Sequence, residues 1–278
     1  MGFFLVLRAE LVRSLIIMKR YWFATLIGII IGYGMLAMLA YAFLANRDSV
    51  SEEMGKRFAG EAAINGTLGM LIGMLAFSIV GMFSQGLQAM AKSGELEQLY
   101  MSPHGLITNF LARSFVASIT TVLSMALMLW LVDKTLAGIL DINGMDFLLL
   151  VLLIGLTYVN LIGFGYMIGG LVLVFKQTGQ VATIIRLILM GLAVVAKPEM
   201  SEWPLVAQVM AHMLPITDAA VCLKLVVIKN VGIGIFEPPY LSHFIFLVLN
   251  SIVWTALGVV CFKVMELWSR DKGTLGAY

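Results

Sequence analysis

The feature that most constrains this chain is a succession of apolar stretches of bilayer length. A helix needs about 20 apolar residues to cross the hydrocarbon core. Residues 22–44, 64–83, 110–132, 147–174, 177–196 and 241–264 reach or approach that length. In lipid the backbone polar groups must be satisfied without water, and runs of this kind do so as helices. Charge usage agrees: 12% of the residues are Asp, Glu, Lys or Arg and 61% are hydrophobic, whereas a soluble domain carries about 25% charged residues. The expected fold class is all-α, a polytopic membrane protein with one domain over residues 1–278. The fifth run contains Arg186, placed close enough to one end for its guanidinium to snorkel towards water.

The segment 1–21 precedes the first run and has another character. Helical spacing puts Phe4, Leu7, Leu11, Leu15 and Met18 on one stripe, with Glu10, Arg13 and Arg20 roughly opposite. An interfacial helix lying among the headgroups fits this pattern, and its basic residues suit anionic lipid. Five charged residues interrupt its apolar character and no small-residue cleavage site follows, unlike a signal peptide. With six spans and the N-terminus inside, eleven of the 18 lysines and arginines fall on the cytoplasmic side. The positive-inside tendency therefore predicts both termini in the cytoplasm.

Residues 197–240 do not fit a simple span. Their middle is apolar, yet it carries Gln208, His212, Pro215, Thr217, Asp218 and Lys224, a heavy polar load for a lipid-facing helix. The expected form is a re-entrant hairpin of two short helices on the outer side, broken near Leu214–Pro215. Irregular backbone at membrane depth survives only where protein or a wet cavity shields it. Glycine pairs at four-residue spacing, Gly28/Gly32, Gly69/Gly73 and Gly165/Gly169, mark close helix packing, within one bundle or between subunits.

Familiar catalytic signatures are missing. There is no HExxH, and the three histidines are too scattered along the chain to indicate a metal site. No GxxxxGK[ST] phosphate loop is present, so ATP hydrolysis is not expected on this chain. Ser84 lacks the GxSxG spacing of a hydrolase elbow. Cys222 and Cys261 lie in separate apolar segments and read as packing residues. A net charge of +2 without a basic cluster points away from nucleic acid. No carboxylate stands out near mid-span, where an ion-coupled carrier would usually place one.

Between the second and third runs lies a polar island, KSGELEQLYMSP, from Lys92 to Pro103. Helical spacing places Leu96, Leu99 and Tyr100 on one stripe. Gly94 permits a sharp turn, the acidic Glu95 and Glu97 suit a helix N-terminus, and Pro103 ends the element. An ordinary cytoplasmic loop and a surface helix offered to a soluble partner both remain open on these residues alone.

This island resembles the signature between the second and third spans of type-2 ATP-binding-cassette permeases, commonly E-x-G-T-L-E-x-L-x-x-S-P. Gly94, Leu96, Glu97, Leu99, Ser102 and Pro103 match. Ser93 occupies the place before the glycine, and Glu95 replaces the usual threonine. The order of the remaining parts is also similar: interfacial helix, six spans, a proline-containing outer segment (MLPITDA, from Met213 to Ala219) and a short glycine-containing tail. The resemblance implies a permease half-unit that pairs with a second permease subunit, expected to be a second copy, and docks on two ATPase subunits. ATP and magnesium would be bound by those partner ATPases, with no cofactor on this chain. Residues 85–103 would form the coupling helix, and the turn around Lys176 and Gln177 a second contact.

The same resemblance implies an exporter in a bacterial or archaeal cytoplasmic membrane. The cargo expected from a pathway poor in charge is amphipathic or hydrophobic: a drug-like compound, a lipid or a lipid-linked glycan. Candidate pathway residues are Tyr33, Met38, Met74, Phe77 and Pro215, of which the methionines offer an adaptable surface. An ion-coupled secondary transporter or channel without an ATPase is the alternative.

Overall fold

The computed structural model describes residues 2–45, 52–101, 103, 105–132, 134, 144–175, 179–197 and 204–271. The described residues are helical or connecting, with no strands among them. The expected all-α class is therefore observed.

Helix α1 (Gly2–Arg20) meets α2 (Trp22–Ala45) at a bend of 80° after a single intervening residue. That angle is what an element lying in the interface needs in order to lead into a span. Helix α3 (Glu52–Gly81) continues through a π-helical turn, Met82–Gly86, into α4 (Leu87–Lys92). The short α5 (Glu95–Tyr100) follows, and α6 (Gly105–Val132) returns. The rest comprises α7 (Gly144–Phe175), α8 (Gly179–Val195), α9 (Leu205–Met213), α10 (Thr217–Lys229), a 3₁₀ turn at Gly232–Phe236, and α11 (Leu241–Asp271).

Four continuous segments are long and apolar enough to cross a membrane: Ile64–Lys92, Gly105–Leu131, Gly144–Phe175 and Leu241–Ser269. Counting each bent pair, α1 with α2 and α9 with α10, as one span brings the number to as many as six. Helix α8, expected as the fifth span, has 17 residues. At 1.5 Å per residue it is about 25 Å long, short of a hydrocarbon core of about 30 Å.

Hydroxyl groups along α6 are satisfied locally. On α6 the hydroxyls of Ser114, Ser118, Thr120, Thr121 and Ser124 each donate to a carbonyl three or four residues earlier, at 2.8–2.9 Å. An apolar helix can carry such residues into lipid without orphaned donors.

Close helix crossings use glycine. A Cβ on Gly163 of α7 would run into the backbone of Trp254 and Thr255, and one on Gly258 of α11 would strike the backbone of Gly163. These two helices therefore touch backbone to backbone. Gly69 and Gly73 admit α8 at Ala193, Val194 and Met190, while Gly165 and Gly169 receive Phe83. Two of the three glycine pairs thus pack inside the bundle. Gly28 has open space beside it and Gly32 abuts the Met128 side chain.

Phe83 sits in the π-helical turn and is fully buried. Its ring lies 4.7 Å from Tyr166 and 5.8 Å from Phe110, and Tyr166 lies 5.3 Å from Phe262. One extra residue per turn rotates the following helix, so the π turn both seats this ring and redirects α4. Aromatic packing thereby joins α6, α7 and α11 immediately beside the polar island.

Candidate functional site

The polar island is divided more finely than a single helix over 85–103. Residues up to Lys92 belong to the long apolar segment Ile64–Lys92, and only Glu95–Tyr100 forms a separate short helix. The corner between them is Gly94, with φ +74°. An L side chain is strained in that left-handed region, which explains glycine at this position. Ser93 N–H donates to the Ala89 carbonyl at 3.0 Å and its hydroxyl to the Met90 carbonyl at 3.2 Å, closing the end of α4. Gly105, with φ +70°, makes the matching corner into α6.

The inner face of α5 is anchored in two ways. Leu96 is buried in the main core and Leu99 packs against it. Glu95 turns its carboxylate towards two arginines: Oε1 accepts from Arg113 of α6 at 3.2 Å and from Arg13 of α1 at 3.3 Å. Arg113 also reaches the Met90 sulfur at 2.8 Å, and Arg13 also meets Glu10 at 3.5 Å. One carboxylate therefore ties α5 to both α1 and α6. Sequence reasoning offered Glu95 to a partner protein; in the structure its carboxylate, still partly exposed, is engaged by α1 and α6 of the same chain. Its two arginines are 82 and 18 residues away in sequence, a distance no local motif discloses.

Gln98, Met101 and Pro103 are left on the outside, Met101 with 82% of its surface exposed. Glu97 belongs to α5, but its side chain lies outside the described residues, as do Ser102, Lys176 and Gln177. The start of α8, which follows those last two, is near: Gln85 Nε2 donates to Thr183 Oγ1 at 3.3 Å, and Gly179 abuts the Gln88 side chain.

The candidate pathway residues are not brought together. Tyr33 packs beside Leu71 and Met128, and Met38 is 78% exposed. Met74 and Phe77 are half-buried on α3, and Pro215 is buried in the hairpin break. A groove of about 600 Å³ between α1, the start of α2 and α6 is lined by other residues, including Leu15, Met18, Tyr21, Ile119 and Ser124.

Arg186 requires a correction. It does not snorkel towards water but is 5% exposed, folded inward against α3. Its Nε donates to the Phe77 carbonyl at 2.9 Å and its guanidinium carbon lies 3.6 Å from the centre of the Phe77 ring. Gly81 provides the room, since a Cβ there would strike the guanidinium.

The break in the hairpin falls at Leu214–Ile216, between helices inclined by 87°. Lys224, Asp218 and His243 are buried near it, and His212 is half-buried. Lys224 caps the end of α8, donating to the Val194 and Ala196 carbonyls at 3.0 and 2.8 Å. Asp218, 1% exposed, accepts on one oxygen from His212 Nδ1 and His243 Nδ1, each at 2.9 Å. Of the three histidines judged too scattered for a common site, His212 and His243 are gathered on this carboxylate, because the fold lays the hairpin along α11; His104 lies outside the described residues. The signal available beforehand was the polar load on 205–228.

These features define a class: an integral, helical, polytopic membrane protein whose short surface helix is tied to its bundle. The chain belongs to the ABC-2 transporter family; the model of the ABC-2 family transporter protein matches residues 45–260. It is accordingly a permease-family membrane subunit, and such proteins work with ATPase subunits in ABC transporters. No curated protein and no solved structure matches the chain.

Proposed function

We propose that this chain is the membrane half-unit of an ATP-driven exporter of an amphipathic or hydrophobic cargo. Two copies pair, and each receives one ATPase subunit on α5 and on the turn leading into α8. ATP and magnesium reside on those ATPases. Residues 1–21 lie in the cytoplasmic headgroups, both termini are cytoplasmic, and the α9–α10 hairpin faces the outer side of a bacterial or archaeal cytoplasmic membrane. Six spans follow if α2, Ile64–Lys92, α6, α7, α8 and α11 all cross, the short α8 being completed by its flanking residues.

The observation that carries this reading is the double anchorage of α5. A surface loop without a mechanical role needs no buried Leu96 and no carboxylate shared between two other helices. With both, a push on the exposed Gln98–Met101–Pro103 edge is delivered to α1 and α6 together. Packed interfaces switch between discrete arrangements instead of deforming smoothly, so such a push can change the pathway between subunits.

The test is purification of the chain from native membranes, followed by reconstitution in proteoliposomes. An ATPase should co-purify, and cargo should stimulate ATP hydrolysis. Transport that proceeds on an ion gradient with no ATPase attached would overturn the proposal and establish the ion-coupled alternative.

A further inference from the structure

We propose that His212, Asp218 and His243 form a site for a zinc-class divalent cation that staples the broken hairpin to the last helix. The three side chains come from α9, α10 and α11, and their ligand atoms all lie within 4.8 Å of one another. Among the described residues this is the group of His, Cys, Asp and Glu side chains with metal-binding geometry.

Three observations point to a ligand. First, Asp218 is 1% exposed, and its second oxygen, Oδ2, is buried without a hydrogen-bond partner. A buried carboxylate left half satisfied is costly. Two imidazole N–H groups on Oδ1 do not relieve Oδ2, whereas a cation at the carboxylate would neutralise the charge that both oxygens share. Second, each imidazole nitrogen sits near the spacing that coordination with Oδ1 requires. Donors bound at 2.0–2.1 Å in a tetrahedron are about 3.3 Å apart, against 2.9 Å here for each nitrogen from Oδ1. Each nitrogen–oxygen contact would open by a few tenths of an ångström to admit the ion. Third, His212 is braced against α11. The His212 ring stacks on Phe246 at 4.5 Å, the His212 carbonyl accepts from Asn250 at 2.6 Å, and the neighbouring Met213 carbonyl accepts from Trp254 at 3.0 Å. Such supporting contacts are what hold metal ligands in place.

The donor set selects the class of ion. Two imidazoles and one carboxylate suit zinc and neighbouring late transition metals; calcium and magnesium require mainly oxygen ligands. His212 keeps 22% of its side chain exposed, which leaves an open side for a coordinated water and a route of access. The consequence is mechanical. His243 and the braces belong to α11, so the ion would fix the hairpin break against that helix. Which face of the membrane this concerns follows from the proposed orientation; the site itself does not depend on it.

The experiment uses the full chain in detergent, stripped with a chelator and then dialysed against Zn²⁺ or Co²⁺. One metal per chain by elemental analysis, with the visible absorption of low-symmetry Co²⁺ displaced by Zn²⁺, is the expected result. His212→Gln, His243→Gln and Asp218→Asn should each weaken binding at least tenfold. Asp218→Asn is informative because the amide can still accept from the histidines yet offers no carboxylate. Size-exclusion profile and helical content show whether each variant is folded. The wild-type measurement needs no variant: failure to take up stoichiometric metal overturns the proposal and leaves a metal-free hydrogen-bonded triad. Equal uptake by a folded His212→Gln/His243→Gln double variant, or preference for Ca²⁺ or Mg²⁺ over Zn²⁺, overturns it as well.

Discussion

Glu95→Gln is the most discriminating single change available at the surface helix. The amide keeps the size of the side chain and removes the charge that two arginines share. The pairs, at 3.2 and 3.3 Å, involve side chains that are 27–43% exposed, so each is worth about 0.2–1 kcal/mol. Together they contribute about 1 kcal/mol, which corresponds to roughly a fivefold change in an equilibrium. The predicted effect is therefore graded: cargo-stimulated ATPase activity falls roughly fivefold while the amount of ATPase bound per permease is unchanged. Arg13→Gln and Arg113→Gln should each reproduce part of the loss, and adding either to Glu95→Gln should cost little more, as expected for groups in one network. The assay is ATP hydrolysis by the reconstituted complex with and without cargo, alongside quantitative co-purification. Loss of ATPase binding in Glu95→Gln, with normal binding in both arginine variants, would refute the assignment of the Glu95 carboxylate to the junction of α5 with α1 and α6.

Other expected outcomes follow from the same geometry. Met101→Asp, on the exposed edge of the island, should weaken ATPase docking in pull-down while leaving the melting of the isolated permease unchanged. Gly94→Ala forces a Cβ into the left-handed region and should lower stability by about 1–2 kcal/mol, read as a lower melting temperature in detergent. Lys224→Met leaves the Val194 and Ala196 carbonyls without their charged donor; a loss of roughly 1.5–3 kcal/mol per bond is the scale for such contacts, visible as reduced folded yield. Gly258→Val sets a branched side chain against the Gly163 backbone and should abolish the monodisperse peak in size exclusion, whereas Gly28→Val, with open space beside it, should not.

The island itself was legible because its information is local. A glycine where φ must be positive, leucines three residues apart and a terminating proline state their roles within a dozen residues. Helix packing at Gly69, Gly73, Gly165 and Gly169 was legible for the same reason, since small residues four apart line one helix face. The Gly163–Gly258 crossing was not, because each glycine is ordinary until the two helices are laid together. Arg186 misled because hydropathy treats every charge in a span as seeking water; a ring, a carbonyl and the gap at Gly81 gave it a shelter that only packing creates.

The sequence by itself determined that this chain is a helical membrane protein, where its long apolar helices run, and where the surface helix interrupts them. Hydrocarbon imposes those results residue by residue, through the need of each segment to satisfy its own backbone. Tertiary structure alone decided what Glu95 holds, where Arg186 points, and that His212, Asp218 and His243 share one buried place. Each of those depends on contacts between helices distant in sequence, and burial turns them from scattered polar residues into groups that require partners.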